Sequence, residues 1–374
     1  MRASGATNAV REWLTLSGIP AVCSLMGLDA IVSEYAWNLG LIGSYGHRYA
    51  NLALANCDCL LVLGSRLDTR QTGTRPETFA RGAKVIHVDI DDAELGRKVK
   101  AELAIHSPLR PFAEKLLAAW KAYPIQQQWT AWKDRLDFYR KRYPTGGGGL
   151  ENESIDPNRL MKRLGDALGN KTIVCLDVGQ HQMWASQSLA IRGDMRMLNA
   201  GGMGAMGFGL PAAIGAAFAA SDRRIVMIAG DGGMQVNLQE LQTVVRWKLP
   251  IAMIVLNNRS LGMVRQFQDL YFGGRQTSTV DGYSSPNFVK LSEAYGIPGS
   301  YVSNEEEFRA WAASVDAQRT VGPDLTEIEI AMSSAVHPKL GVGRPVEDME
   351  PLLEREELRR LLLVPPIEEE GPAS

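Results

Sequence analysis

Ile225-Val226-Met227-Ile228-Ala229-Gly230-Asp231-Gly232-Gly233 is the stretch on which the fold turns. Five apolar, partly β-branched residues without alternation describe a strand buried on both faces, and such strands belong to parallel sheets. The turn that follows is rich in glycine and carries one carboxylate. Asp231 is thereby placed at the carboxyl end of the strand, where parallel sheets take their ligands. Glycines at that point let backbone N–H groups approach a phosphate closely, and the next helix would aim its positive end the same way.

Outward from this stretch, a second polar turn, Asn257-Asn258-Arg259-Ser260, follows the apolar run 251–256. Asp231 and Asn258 lie 27 positions apart, the length of one helix and one strand, so both turns are expected at adjacent strand ends facing one cleft. A carboxylate, an amide oxygen and a backbone carbonyl are ligands of the kind Mg²⁺ takes, with phosphate oxygens and water completing its octahedron. Singly, each turn reads as ordinary Asn and Asp turn chemistry. Together, at this spacing, they point to a metal and a phosphate. His181 follows the run 172–177, between Gln180 and Gln182. There it either bonds a backbone carbonyl or binds a phosphate, as a binder rather than a proton-transfer group.

Further apolar runs at 59–64, 84–89 and 325–330 predict strands, and the patterns at 8–16, 108–121, 157–168, 208–220, 238–247, 287–295 and 305–315 predict helices. Their alternation predicts an α/β fold of two parallel-sheet βα domains. The boundaries fall at 1–122 for the first domain, 123–155 for a linker holding Gln126-Gln127-Gln128 and the glycines 146–149, and 156–335 for the second. Residues 336–374 form a charged, Pro-containing, solvated tail with a short surface helix at 351–362. No internal repeat is visible.

The chain has 374 residues, 45% hydrophobic and 22% charged, the balance of a soluble globular protein. Forty Lys and Arg against 42 Asp and Glu leave a net charge of -2, which argues against a broad nucleic-acid surface. Cys23, Cys57, Cys59 and Cys175 lie in or beside apolar runs without a disulfide or zinc spacing, so buried, reduced thiols and a cytoplasmic setting are expected. The N-terminus lacks the apolar core of a signal peptide. Residues 197–220 carry no charge, yet their Gly and Ala content describes a loop running into a buried helix, not a membrane span. Neither G-x-x-x-x-G-K-[ST] nor a strand-linked G-x-G-x-x-G is present, which disfavours a generic nucleotide-binding protein.

Gly230-Asp231-Gly232 with Asn257-Asn258 resembles the signature of thiamine diphosphate (ThDP) enzymes. Three flanking runs resemble acetolactate synthases: Asp177-Val178-Gly179-Gln180-His181-Gln182-Met183-Trp184, Gly201-Gly202-Met203-Gly204-Ala205-Met206-Gly207, and Leu261-Gly262-Met263-Val264. The resemblance covers nearly the whole chain, with 1–122 similar to the family's central domain. It implies that Asp231 and Asn258 hold Mg²⁺ by side chains and Ser260 by its carbonyl. It further implies that Gly232 and Gly233 bind the diphosphate through N–H groups, opposite Val178, Gly179, Gln180 and His181. Met206 would be the apolar wedge that bends the cofactor, with Gly204 and Met263 on the pyrimidine. The alternative for Met206 is core filler.

The implied activity is 2-oxo acid decarboxylation with carboligation, two pyruvates giving 2-acetolactate and CO₂, a step of branched-chain amino acid biosynthesis. Phe267 stands where many acetolactate synthases carry Trp near the substrate channel, which leaves the acceptor open. Alternatives are a benzaldehyde lyase, oxalyl-CoA decarboxylase or pyruvate oxidase relative, or a non-catalytic ThDP-binding protein. The run from Gly64 to Gly73, with Arg66, Asp68 and Arg70, resembles the family's FAD cradle, but Ser44-Tyr45-Gly46 replaces its Met-His before glycine. Arg66 and Asp68 read equally well as a structural ion pair. In this family a glutamate on a separate pyrimidine-binding domain activates the cofactor. That domain is expected from a partner chain in a homo- or hetero-oligomer, since Glu12 and Glu34 lie in the wrong context.

Overall fold

The apolar run at 225–229 lies within Arg224–Gly230, a central strand of a six-stranded sheet whose pairings are all parallel. Across that sheet the order is Gly299–Val302, Asp324–Glu329, Ile251–Asn257, Arg224–Gly230, Thr172–Leu176, Arg196–Asn199. A computed structural model describes residues 1–125, 128–146, 155–317 and 322–367. It divides the chain into one unit of Met1–Thr145 with His337–Ser374 and another of Gly146–Val336.

In the second unit every residue of Ile251–Asn257 and Thr172–Leu176 is buried, the doubly covered state that continuous apolar runs predict. One layer of cover is the helix Gly209–Ala219, whose Leu210, Ala213, Ala216 and Ala217 join Ile225, Met227, Ile251 and Met253 in the core. This helix buries only one face. Phe218 is 55% exposed and lies edge-on to Trp247, so the buried helix expected at 208–220 is half solvated. No helix among the described residues is long and apolar enough to cross a membrane. Helix Pro157–Ala167 begins where Asp156 caps it, accepting from the Arg159 N–H at 2.8 Å, with Pro157 in the first turn.

The first unit holds a three-stranded parallel sheet in the order Cys59–Leu63, Lys84–Asp89, Leu103–His106, and a two-stranded parallel pair, Ala21–Cys23 with Asn38–Leu41. Two sequence expectations need correction here. The linker contains a helix, Thr130–Arg142, whose Leu136 and Tyr139 enter the first unit's core with Leu52, Val62 and Phe79. The tail is not solvated over its described length: Leu340, Val346, Leu358 and Leu361 join the same core. Asn56 and the phenol of Tyr139 hold the carbonyl of Leu361 at 3.1 and 2.6 Å, and Arg81 pairs with buried Glu347 at 2.7 Å. The charges of Arg355–Leu361 conceal an i, i+3 apolar pair, Leu358 and Leu361, which is the face that docks. Gln126, Gln127, the glycines 147–149 and the acidic end from Glu368 lie outside the described residues. All four cysteines are free, and Cys23 and Cys175 are buried, but Cys57 is half-buried and Cys59, at the start of its strand, is exposed.

Candidate functional site

Two neighbouring strands of the six-stranded sheet send their connections in opposite directions. From Thr172–Leu176 the chain crosses to Arg196–Asn199 on one side, and from Arg224–Gly230 to Ile251–Asn257 on the other. The carboxyl ends of these strands therefore bound the topological switch point, the crevice where open parallel sheets bind ligands. Asp177, Val178 and Gly179 follow the first strand, and Asp231, Gly232 and Gly233 the second. Because Arg224–Gly230 pairs directly with Ile251–Asn257, the turn at Asn258 and Ser260 sits beside them.

Asp177 organises one wall. Its buried carboxylate accepts the N–H groups of Val178 at 2.8 Å, Gly207 at 3.1 Å and Gly209 at 2.7 Å. It thus ties the 201–209 loop, with Gly204 and Met206, to the switch point. A side chain at Gly233 would meet the Asp177 carboxyl carbon at 2.9 Å, so this position admits only glycine. Met206 is 42% exposed, yet its methyl lies 3.2 Å from where a Gly232 Cβ would stand, so it overhangs the second turn.

His181 lies in the first turn of the helix Gln180–Ser188 and is buried against Gly179 and Gly230. Burial lowers its pKa, against the pull of Asp177, and leaves the imidazole neutral. Its Nε2 has no partner among the described residues. A neutral ring with one unpaired nitrogen at a sheet's ligand edge leaves that nitrogen open to a ligand.

Asp231 is 2% exposed. Its Oδ2 accepts the hydroxyl of Tyr283 at 2.9 Å. Burial pushes its pKa up to about 6, opposed by hydrogen bonds from Tyr283 and from the backbone at Gly232, Asp231 and Ser260. No cationic side chain pairs with it among the described residues, so the site carries a buried negative charge that a cation would offset. Asn258 gives its amide nitrogen to Gln180 Oε1 at 2.9 Å, which leaves Oδ1 as the atom free to ligate. Asn257 is structural: it donates to Glu327 at 2.8 Å and accepts from the Arg259 N–H at 3.0 Å, holding the turn in which Arg259 has φ 54. Among the described residues no three His, Cys, Asp or Glu side chains gather. The oxygen donors that these two turns offer, the Asp231 carboxylate, Asn258 Oδ1 and the Ser260 carbonyl, are of the kind that Mg²⁺ takes.

Gln180 spends its side chain on the protein, donating to Gln266 Oε1 at 3.2 Å and the Ser334 carbonyl at 3.1 Å while accepting from Asn258. It braces the turn, and only its backbone is left to face a ligand. Met263 is half-buried in the helix Gly262–Tyr271, whose first residue lies hard against Gln180 and Asn258. Tyr283, Gln235 and Gln266 are missing from the sequence reading. Tyr283 sits in an irregular segment without periodicity, and nothing in the sequence links it to Asp231. In the first unit, Asp68 caps Thr69–Thr72 by accepting from the Arg70 N–H at 3.0 Å and pairs with Arg66 at 3.4 Å, so both groups already have protein partners.

Comparison with known proteins supplies the context. Residues 177–323 match the C-terminal TPP binding domain of thiamine pyrophosphate enzymes, and residues 1–116 match their central domain. The chain is 35% identical over 343 residues to an acetolactate synthase large subunit of Porphyra purpurea, covering 91% of this chain and 57% of that one. It is 36% identical over 345 residues to the acetolactate synthase isozyme 2 large subunit of Escherichia coli, covering 92% and 61%. A probable acetolactate synthase large subunit of Methanocaldococcus jannaschii is 36% identical over 312 residues, covering 82% and 52%. The chain thus spans between half and two thirds of the length of these relatives.

Proposed function

The chain belongs to the thiamine pyrophosphate enzymes, and on that premise we propose that it binds ThDP with Mg²⁺ and takes part in 2-oxo acid decarboxylation and carboligation of the acetolactate synthase kind. The observation that carries the proposal is the buried Asp231 carboxylate, without a cationic partner among the described residues, at a strand end next to the turn of Asn258 and near His181, whose Nε2 has no partner among them. In this reading Asp231, Asn258 and the Ser260 carbonyl hold the cation. The N–H groups of Gly232 and Gly233, with Val178, Gly179, Gln180 and His181 opposite, hold the diphosphate. Gly204, Met206 and Met263 face the pyrimidine.

When bound, ThDP supplies the carbanion chemistry of such reactions. The chain's own contribution is to neutralise and orient. A divalent ion offsets the charge of Asp231 and of the diphosphate together, and His181 stays neutral because burial disfavours its charged form. Phe267, 43% exposed on Gly262–Tyr271, is proposed to border the acceptor site. The activating glutamate is proposed to come from polypeptide beyond these 374 residues, in the same chain or another. Pyruvate is the proposed substrate, in keeping with relatives named acetolactate synthases. Flavin is not part of the proposal, since Arg66 and Asp68 are paired with each other.

Equilibrium dialysis with labelled ThDP, with Mg²⁺ or EDTA, tests the cofactor reading, and an acetolactate assay with a pyrimidine-domain chain tests the reaction. Retention that requires Mg²⁺, and product that requires the added domain, are the expected results. ThDP binding indifferent to EDTA would remove the assignment of Asp231 and Asn258.

A further inference from the structure

The carboxylate proposed to ligate the cation has two oxygens, and one of them holds the carboxylate's side-chain partner. Tyr283 donates its hydroxyl to Asp231 Oδ2 at 2.9 Å. The direction of that bond is fixed, because Gln235 Nε2 donates to the phenol oxygen at 3.1 Å and obliges the phenol's proton to point at Asp231. Gln235 is held in turn by the Asp231 carbonyl at 3.3 Å, one helical turn back on Asp231–Val236. The segment carrying Tyr283 is itself anchored to the neighbouring turn, where Ser285 donates to Asn257 Oδ1 at 3.3 Å and the Leu261 N–H donates to the Thr279 carbonyl at 3.0 Å. Asp231, Gln235 and Tyr283 thus form a closed ring of hydrogen bonds with one carboxylate oxygen left outside it.

We propose that Tyr283 is a positioning residue that confines Asp231 to a single ligating oxygen and so makes the site prefer Mg²⁺ to Ca²⁺. The argument rests on the reading of Asp231 as a cation ligand. Mg²⁺ demands near-ideal octahedral geometry with short bonds and takes a carboxylate oxygen singly, whereas Ca²⁺ accepts more ligands at longer range and readily takes both oxygens of one carboxylate. A donor fixed on Oδ2 takes one of that oxygen's lone pairs and holds the carboxylate's orientation, which disfavours the two-oxygen mode more than the one-oxygen mode. Asn258, oriented by Gln180, likewise offers one oxygen, so both side chains are set for single contacts.

Tyr283→Phe removes the hydroxyl and keeps the ring. Wild-type protein and variant are loaded with Mn²⁺ and excess ThDP, and bound Mn²⁺ is displaced with Mg²⁺ or Ca²⁺ while the free-ion Mn²⁺ resonance is followed. Losing a hydrogen bond to a charged group is worth about tenfold in binding, so the Mg²⁺-to-Ca²⁺ preference should fall by about that factor. Gln235→Leu, which frees the phenol to turn, should lower the preference by a smaller amount. If both ions weaken equally in Tyr283→Phe and the ratio is unchanged, Tyr283 merely supports the fold and this inference is overturned, while the cofactor reading stands. If wild-type protein with ThDP binds no Mn²⁺, the cofactor reading fails and takes the inference with it.

Discussion

Replacing Asp231 by Asn should make the metal-free protein more stable while abolishing its Mg²⁺-dependent hold on ThDP. In the folded chain the Asp231 carboxyl is raised by burial to about 6, from 3.8 for an unperturbed side chain. The folded state therefore keeps its proton where the unfolded state has lost it, and stability declines as pH rises through this window. A separation of about two units at about 1.4 kcal/mol each makes the charge unfavourable by about 3 kcal/mol at pH 7. Asn carries no charge but offers one acceptor oxygen where the carboxylate offers two. One of the donors at Tyr283, Gly232 or Ser260 loses its partner, which returns about 1 kcal/mol. The variant should then be more stable than wild type by about 2 kcal/mol at pH 7, and this advantage should shrink by about 1 kcal/mol at pH 5 as wild-type Asp231 takes up its proton. Urea unfolding of both proteins in EDTA at the two pH values measures the difference. A gap that does not change with pH would refute the reasoning, because only ionisation makes it pH-dependent. With saturating Mg²⁺ and ThDP the order should reverse, since only wild type gains from the ligand.

Gly233→Ala should destabilise the second unit by about 1–3 kcal/mol and weaken ThDP retention, because the new methyl meets the Asp177 carboxyl carbon at 2.9 Å; an unaltered urea midpoint would show that Asp177 can move aside. Tyr139→Phe strips the buried donor from the Leu361 carbonyl and the acceptor from Asn56, and about 1–3 kcal/mol of stability should go with them. Amide exchange at Leu363, whose N–H is held by Asn56, should rise in that variant and stay slow if the tail is held by its leucines alone. The purified chain should be colourless, and stoichiometric yellow flavin absorbance would mean that the Arg66–Asp68 pair opens to a ligand.

What the sequence disclosed, and what it hid, follows from the range of the interactions. Buried parallel strands announce themselves locally: 84–89 coincides with Lys84–Asp89, and 225–229 lies inside Arg224–Gly230. The edge strands Arg196–Asn199 and Gly299–Val302 were not legible, since neither is a long apolar run and each is set by its neighbour's register. Helix Gln180–Ser188 was hidden for a related reason, being polar in sequence yet almost wholly buried. At the site, Asp231 and Asn258 could be placed because strand order follows from spacing. The Tyr283 bond spans 52 positions, and the Gln180–Gln266 bond 86, with no pattern to bind their ends.

The first unit is sewn shut by residues that follow the second. Its core is incomplete until Leu340, Val346, Leu358 and Leu361 arrive, and those leave the ribosome after the whole of Gly146–Val336. At ordinary elongation rates that interval is on the order of 10–40 s, during which Leu52, Val62 and Phe79 stand open to water or to a chaperone. The order of assembly is then the reverse of the order of synthesis: the later segment can finish its sheet first, and the earlier one waits for its closing stitch. A ribosome that stops short of residue 337 would release a chain whose proposed cation site is complete and whose first unit is the part that quality control sees.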